Sequence, residues 1–280
     1  MNTITRMAET ALYDLMSWMS PAWPIGAFAH SGGLEWAVEA GHVTDRAGCA
    51  DWIADLIARG AVHNDAVLFV HAWRAAVEGD AGRLRDVAEL AAASQTGFER
   101  RLEATAQGAA FRKIALGSME PPRSGEGSRD AKRRGGEGSP QAPWSAERPL
   151  QQPAAGPAPR SGEEWHFASL LAAIDDDDLT YPVAAAALFA TNGIALPQAL
   201  TAWLHGAAAN LVSAAQRLVP LGQTDGQRVL RDLRGPIFAA VEAALALPDG
   251  DPFDQLGGAT LLAELGCMAH ETQYTRLFRT

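Results

Sequence analysis

Residues 197–219 read PQALTAWLHGAAANLVSAAQRLV. Leu200, Trp203, Leu204, Ala207, Leu211, Ala214 and Leu218 recur at i, i+3, i+4 and i+7 spacing, a pattern that lines one face of an α-helix and neither face of a strand. Pro197 suits the first helical turn, where a missing N–H has no intrahelical partner to lose. So continuous an apolar stripe predicts a central helix. On another side Asn210, Ser213 and Arg217 keep the same spacing and form a polar seam, read either as a solvated face or as a functional groove.

The same periodicity extends outward in both directions. Helices are expected near 44–60, over Val67 to Gly79, over Gly82 to Ala93 and over Thr96 to Leu116, then near 165–174, 182–192, 227–246 and 256–275. Thr44 and Asp45 give an N-cap signal, Trp52, Ile53, Leu56 and Ile57 share a face, and Gly79 suits a left-handed C-cap. The 280 residues contain 56 Ala against 12 Val and 8 Ile, and Ala is the strongest helix former whereas β-branched side chains favour strands. Nothing reads as a run of strands. The fold class is therefore all-α, a single globular helical domain of roughly nine to eleven helices.

One segment interrupts it. Residues 118–164 hold 7 Gly, 8 Pro and 6 Ser, with Met119, Trp144 and Leu150 as their only large apolar side chains. So little apolar surface cannot offset a backbone ordering entropy of about 1–2 kcal/mol per residue. The sequence predicts a disordered insertion there, between an N-terminal helical part (1–117) and a C-terminal part of the same domain (165–280). KRRGG at 132–136 is a weak basic motif within it.

Hydrophobic residues make up 48% and charged residues 20%, a soluble globular mixture. The net charge of -10 opposes nucleic acid or an anionic membrane as partner, since both select basic surfaces. Cys49 and Cys267 stand far apart without CxxC or Cys/His spacing, so they read as buried thiols. No apolar run of membrane-spanning length and no cleavable leader pattern appears, and a cytoplasmic location is expected.

Signatures of catalysis are missing. The chain has no phosphate-binding GxxxxGK loop, no GxGxxG after a strand, no GxSxG and no HExxH. His63, Asp65, His71 and His270 are types that ligate nickel, zinc or iron, and an α-helical metal-dependent hydrolase using them is the alternative reading, though their spacing is not diagnostic. Asp175, Asp176, Asp177 and Asp178 read as a solvated turn before Tyr181 and Pro182.

Four further stretches carry a resemblance. SPAWPIGAFAHSGGLEW (20–36) fixes its turns with Pro21, Pro24 and Gly26 and opens a helix containing Glu35 after Gly32 and Gly33; it closely resembles the N-terminal signature of the UreF family of urease accessory proteins. LVSAAQRLVPLGQTDGQ (211–227), with Pro220 ending a helix and Gly222 and Gly226 shaping a turn that displays Gln223 and Gln227, resembles that family's middle motif. AHETQYTRLFRT (269–280) resembles its C-terminal signature, and RRLEATAQGAAFRKI (100–114) is similar too. The likeness spans all but the 118–164 insertion, which is longer than the family pattern. Thr280 stands where the family usually has Ser, and Ala269 where Arg often precedes His-Glu.

The resemblance implies an all-α, non-catalytic maturation factor. It would dimerise, bind the scaffold protein UreD (also called UreH) and the GTPase UreG, and with them insert nickel into apo-urease. It would recruit the GTPase and couple its nucleotide state to metal transfer, holding no tight cofactor but offering nickel a transient passage. An inserted arginine that accelerates the GTPase is one route, with Arg217, Arg228 and Arg276 as candidates. Candidate partner-binding residues are Glu35, Arg217, Gln223, Gln227, His270, Glu271, Tyr274, Arg276, Leu277, Phe278 and Arg279. Tyr274 to Arg279 combine aromatic, guanidinium and apolar groups, the mixture of interface anchors. Two readings of that tail stand level: it orders on a partner, or Leu277 and Phe278 pack on their own core.

Overall fold

The computed structural model describes residues 3–119 and 163–280. Twelve α-helices and two single 3₁₀ turns make up the regular structure of these residues, with no strand among them. They run α1 (Thr3–Trp18), α2 (Leu34–Glu39), α3 (Arg46–Arg59), α4 (Ala61–Glu78), α5 (Ala81–Ala93) and α6 (Phe98–Met119). After the insertion come α7 (Glu163–Leu171), α8 (Tyr181–Thr191), α9 (Leu196–Leu218), α10 (Gln223–Asp232), α11 (Arg234–Leu245) and α12 (Leu261–His270). Apart from two helical residues at each end, the 118–164 segment lies outside the described residues, KRRGG included.

The core forms around α8, whose sequence YPVAAAALFAT is apolar on every side and buried from Pro182 to Ala190. A helix hydrophobic all round belongs inside. Its alanines let α4, α6 and α9 approach closely. Phe189 supplies the bulk, stacking on Trp18 at 5.7 Å and meeting Phe69 and Phe111 at 6.2 and 6.4 Å. The α6 backbone also comes against the turn before α8: a Cβ placed on Gly108 would lie 1.9 Å from the Leu179 carbonyl oxygen. Helix α9 occupies the expected central place, with Leu200, Trp203, Leu204, Leu211 and Ala214 buried. Its seam residues Ser213 and Arg217 are exposed.

Caps explain several boundaries. The Asp45 carboxylate accepts the Gly48 N–H at 2.8 Å and starts α3, and Gly79 at φ 71 closes α4. Helix α4 begins six residues before the expected Val67, carrying His63 and Asp65 into the same helix as His71.

Three elements differ from expectation, each for a local reason. The single helix expected over 227–246 divides at Leu233, because Pro236 has no N–H for the residue 232 carbonyl and would crowd it. The turn expected to display Gln223 and Gln227 is instead the start of α10; both side chains remain exposed. The last helix stops at His270 rather than near 275: the Glu271, Thr272 and Gln273 amides tighten onto the carbonyls three residues back, and the Glu271 carboxylate is turned to α6. The aspartate run is a turn tied to α6: Arg112 donates to the Ile174 carbonyl at 2.7 Å and pairs with Asp176, while Arg101 reaches Asp178 at 3.5 Å.

Gly108→Ala is expected to lower stability by about 2 kcal/mol or more, because its Cβ meets backbone rather than a movable side chain. In Gly117→Ala, on the same helix with open space around it, stability is expected to hold or rise. Urea denaturation of both variants checks the contrast.

Candidate functional site

The site starts from two glycines that open α2. Gly33, at φ 81, sits where a Cβ would be 2.7 Å from the Cys267 sulfur, so only glycine lets α2 lie against α12. That approach brings Glu35 of α2 to His270 at the end of α12. Glu35 is only 7% exposed and His270 is fully buried.

The Glu35 carboxylate holds the following segment by its backbone. It accepts the Leu277 N–H at 2.6 Å and the Phe278 N–H at 2.9 Å, and its Oε2 lies 3.0 Å from His270 Nε2. Consecutive amides on one carboxylate give charge-assisted bonds, stronger than neutral ones. On the other side of the ring, His270 Nδ1 is 2.7 Å from Glu99 of α6, whose second oxygen takes Arg276 at 2.5 Å. Glu271 turns the opposite way and caps α6, accepting the Phe98 N–H at 2.6 Å and the Glu99 N–H at 3.3 Å. The Glu271, Thr272 and Gln273 amides bond three residues back, so α12 ends in a tight turn.

The end of the segment docks beside α6. Arg279 N–H donates to the Ala29 carbonyl and Ser31 N–H to the Thr280 oxygen, both at 2.9 Å. The Thr280 hydroxyl donates to Glu103 at 3.0 Å and lies 3.2 Å from His30 Nδ1. Behind it Arg100 pairs with Glu103 at 2.9 Å and approaches Asp65 at 3.6 Å. Burial pushes the Asp65 carboxyl up despite the nearby guanidinium, and pushes the His30 ring down. Asp65, Asn64, Arg100, Thr260 and Cys267 edge a cavity of about 50 Å³, room for a few waters.

The sequence-derived residues thus fall into separate groups. Glu35, His270, Arg276, Leu277, Phe278 and Arg279 come together. Phe278 is buried on its own core with the Arg217 guanidinium 4.2 Å from its ring centre, whereas Leu277 is 64% exposed and Tyr274 fully so. Gln223 and Gln227 lie apart on α10, and Arg228 pairs with Asp225. Glu271 joins the group as a helix cap. Ser31, Glu99, Arg100, Glu103 and Thr280 were missed as site residues, although Glu99, Glu103 and Gln107 at i, i+4 spacing on α6 signal a polar stripe that something must satisfy.

The metal set of the alternative reading is not brought together. His71 Nε2 lies 3.0 Å from the Gln255 side-chain oxygen, Asp65 faces Arg100, and His270 sits between two glutamates. Among the described residues, no three His, Cys, Asp or Glu side chains form a group able to hold a metal ion. Cys49 and Cys267 are free thiols, both pushed up to about 11 by burial. No helix among the described residues is long and apolar enough to cross a membrane.

The fold and the site define an all-α protein whose buried polar network fixes a surface segment. Comparison with known proteins makes that class specific. The UreF family model matches residues 43–234. The urease accessory protein UreF of Bradyrhizobium diazoefficiens is 41% identical over 270 residues, covering 96% of this chain and 92% of that protein. Urease accessory proteins UreF from another Bradyrhizobium species and from Rhodopseudomonas palustris are each 40% identical, over 99% and 96% of this chain and 95% and 94% of theirs. The chain belongs to the UreF family.

Two outcomes follow from the geometry. Glu35→Gln replaces an acceptor of two amides by a group with one carbonyl and a competing NH₂, and is expected to cost about 3 kcal/mol and expose the Leu277 and Phe278 amides to exchange. Hydrogen exchange resolved at those residues checks it. Burial also pushes the His71 ring down, so it resists a proton that the unfolded chain takes up near about pH 6.5. Stability is therefore present above that value and lost as pH falls below it. His71→Gln is expected to flatten this loss between about pH 7 and about pH 5 in urea titrations, leaving the parts owed to His30 and His63, which burial also pushes down.

Proposed function

We propose that this chain serves urease maturation as an assembly factor: it joins the scaffold protein UreD (UreH) and the GTPase UreG, as a dimer, and helps insert nickel into apo-urease. The observation that carries the reading is the near full-length identity of about 40% to proteins named urease accessory protein UreF. In this reading nickel is cargo, passed on rather than kept, and the chain recruits the GTPase and couples its nucleotide state to metal transfer without a catalytic site of its own.

The surface around the tail supports a docking role. Leu261, Leu265 and Met268 of α12, Phe98 and Leu102 of α6, and Tyr274 and Leu277 are exposed large apolar side chains, a composition that marks interaction sites. Arg217 lies against Phe278 and Arg276 against Glu99, so an arginine offered to the GTPase would first have to leave those partners.

Co-expression with UreD and UreG tests the proposal. A stable complex containing a dimer of this chain is expected by native mass measurement, and Leu277→Asp, which changes an exposed side chain without touching the Glu35 contacts, is expected to weaken it. A folded chain that stays alone beside folded partners would overturn the reading.

A further inference from the structure

Each ring nitrogen of the fully buried His270 faces a carboxylate oxygen, Glu35 at 3.0 Å and Glu99 at 2.7 Å. An ionised carboxylate only accepts hydrogen bonds, and a neutral imidazole has a single N–H to give. Two such contacts need two protons. The ring and its two neighbours must therefore hold one proton more than a neutral imidazole between two ionised carboxylates.

The surrounding charge points the same way. Helix α2 contributes Glu35, α6 contributes Glu99 and Glu103, and α4 contributes Asp65, while the matching guanidiniums are Arg100 of α6 and Arg276 of the tail. Carboxylates outnumber cations in a buried cluster, which is costly unless protons make up the difference. Arg279, exposed on the tail, is a further cation that acts on His30. Cys267, on the same helix as His270, stays an uncharged thiol, and burial keeps His30, on the loop before α2, neutral. Glu271 adds negative charge at the start of α6, and the Arg217 guanidinium from α9 is held over Phe278.

We propose that Glu35, His270 and Glu99 form a proton-operated latch: the added proton closes segment 276–280 onto α2 and α6, and its loss as pH rises opens the segment. Without that proton one ring nitrogen turns a lone pair toward a carboxylate. Repulsion then drives away either Glu99, with Arg276 attached, or Glu35, with the Leu277 and Phe278 amides attached. One proton leaves to solvent for each opening, Phe278 and Thr280 leave their buried positions, and the surface that includes Leu277 exists only in the closed state.

The test uses the full chain with ¹⁵N-labelled histidine. Protons on both ring nitrogens of His270 are expected while the tail is closed, and on raising the pH the loss of one should coincide with a fall of about tenfold in the exchange protection factors of the Leu277 and Phe278 amides. In Glu99→Gln the side-chain amide can donate to the ring's lone pair, so a neutral ring satisfies both contacts and protection is expected to stay constant with pH. Arg276→Gln, which removes the same guanidinium contact but keeps the carboxylate, is expected to retain the pH step. A singly protonated His270 beside a protected tail would overturn the latch, as would loss of the second proton without a change in protection, or a pH step that persists in Glu99→Gln.

Discussion

Everything at the described surface of α12 and its tail depends on one buried carboxylate. Glu35 is almost inaccessible, and it sits there because α2 can touch α12 only through a glycine. Charge buried at this depth must be matched or it destabilises the fold. Two backbone amides and an imidazole match it, and in doing so they fix where the chain leaves α12, which side of it faces inward and how far it travels along α6. The tail has no helix or strand of its own. Its order comes from a side chain more than 240 residues away in sequence.

That arrangement requires a rigid platform. Helix α8 provides it by being small and apolar on all sides, so that α4, α6 and α9 are held together without ridges that would force them apart. The aromatic rings of Trp18, Phe69, Phe111 and Trp203 fill the remaining volume around Phe189 and Tyr181. With α4 and α6 fixed on this support, Asp65, Glu99, Arg100 and Glu103 present a continuous polar edge that α2, α12 and the tail then complete. Function-bearing polarity is thus built on the rim of the packed centre rather than inside it.

Much of the helical frame was legible in the sequence because it is encoded locally. The stripe on α9, the Asp45 cap and the Gly79 stop are statements about neighbours within one or two turns, and local spacing reads them well. Helix α8 is legible as apolar but carries no periodicity, since all its faces are covered. The Glu35–His270 contact was not legible as a contact. Residues 20–36 and 269–280 each resemble a family signature, yet nothing local in either says that they touch. Glu99 and Glu103 show the same limit from the other side: a polar stripe at helical spacing reads as a solvated face until another element is laid across it. The break at Leu233 was missed for a simpler reason, the weight given to apolar spacing over Pro236.

The tail also resolves an apparent choice between packing on its own core and meeting a partner. Exposure alternates along it: Leu277 and Arg279 face out, while Phe278 and Thr280 face in. An extended segment places successive side chains on opposite sides, so one short stretch can be anchored and presented at once. The anchoring half is satisfied within the chain by Glu35, Glu103, His30 and Arg217. The outward half, with Tyr274, extends the exposed apolar side chains of α12 and α6. A change that loosens the inner half therefore alters the outer surface without replacing any of its residues, and a substitution such as Phe278→Ala acts on both through one cause. Separating the two requires changing outward side chains while the carboxylate and its amides remain intact.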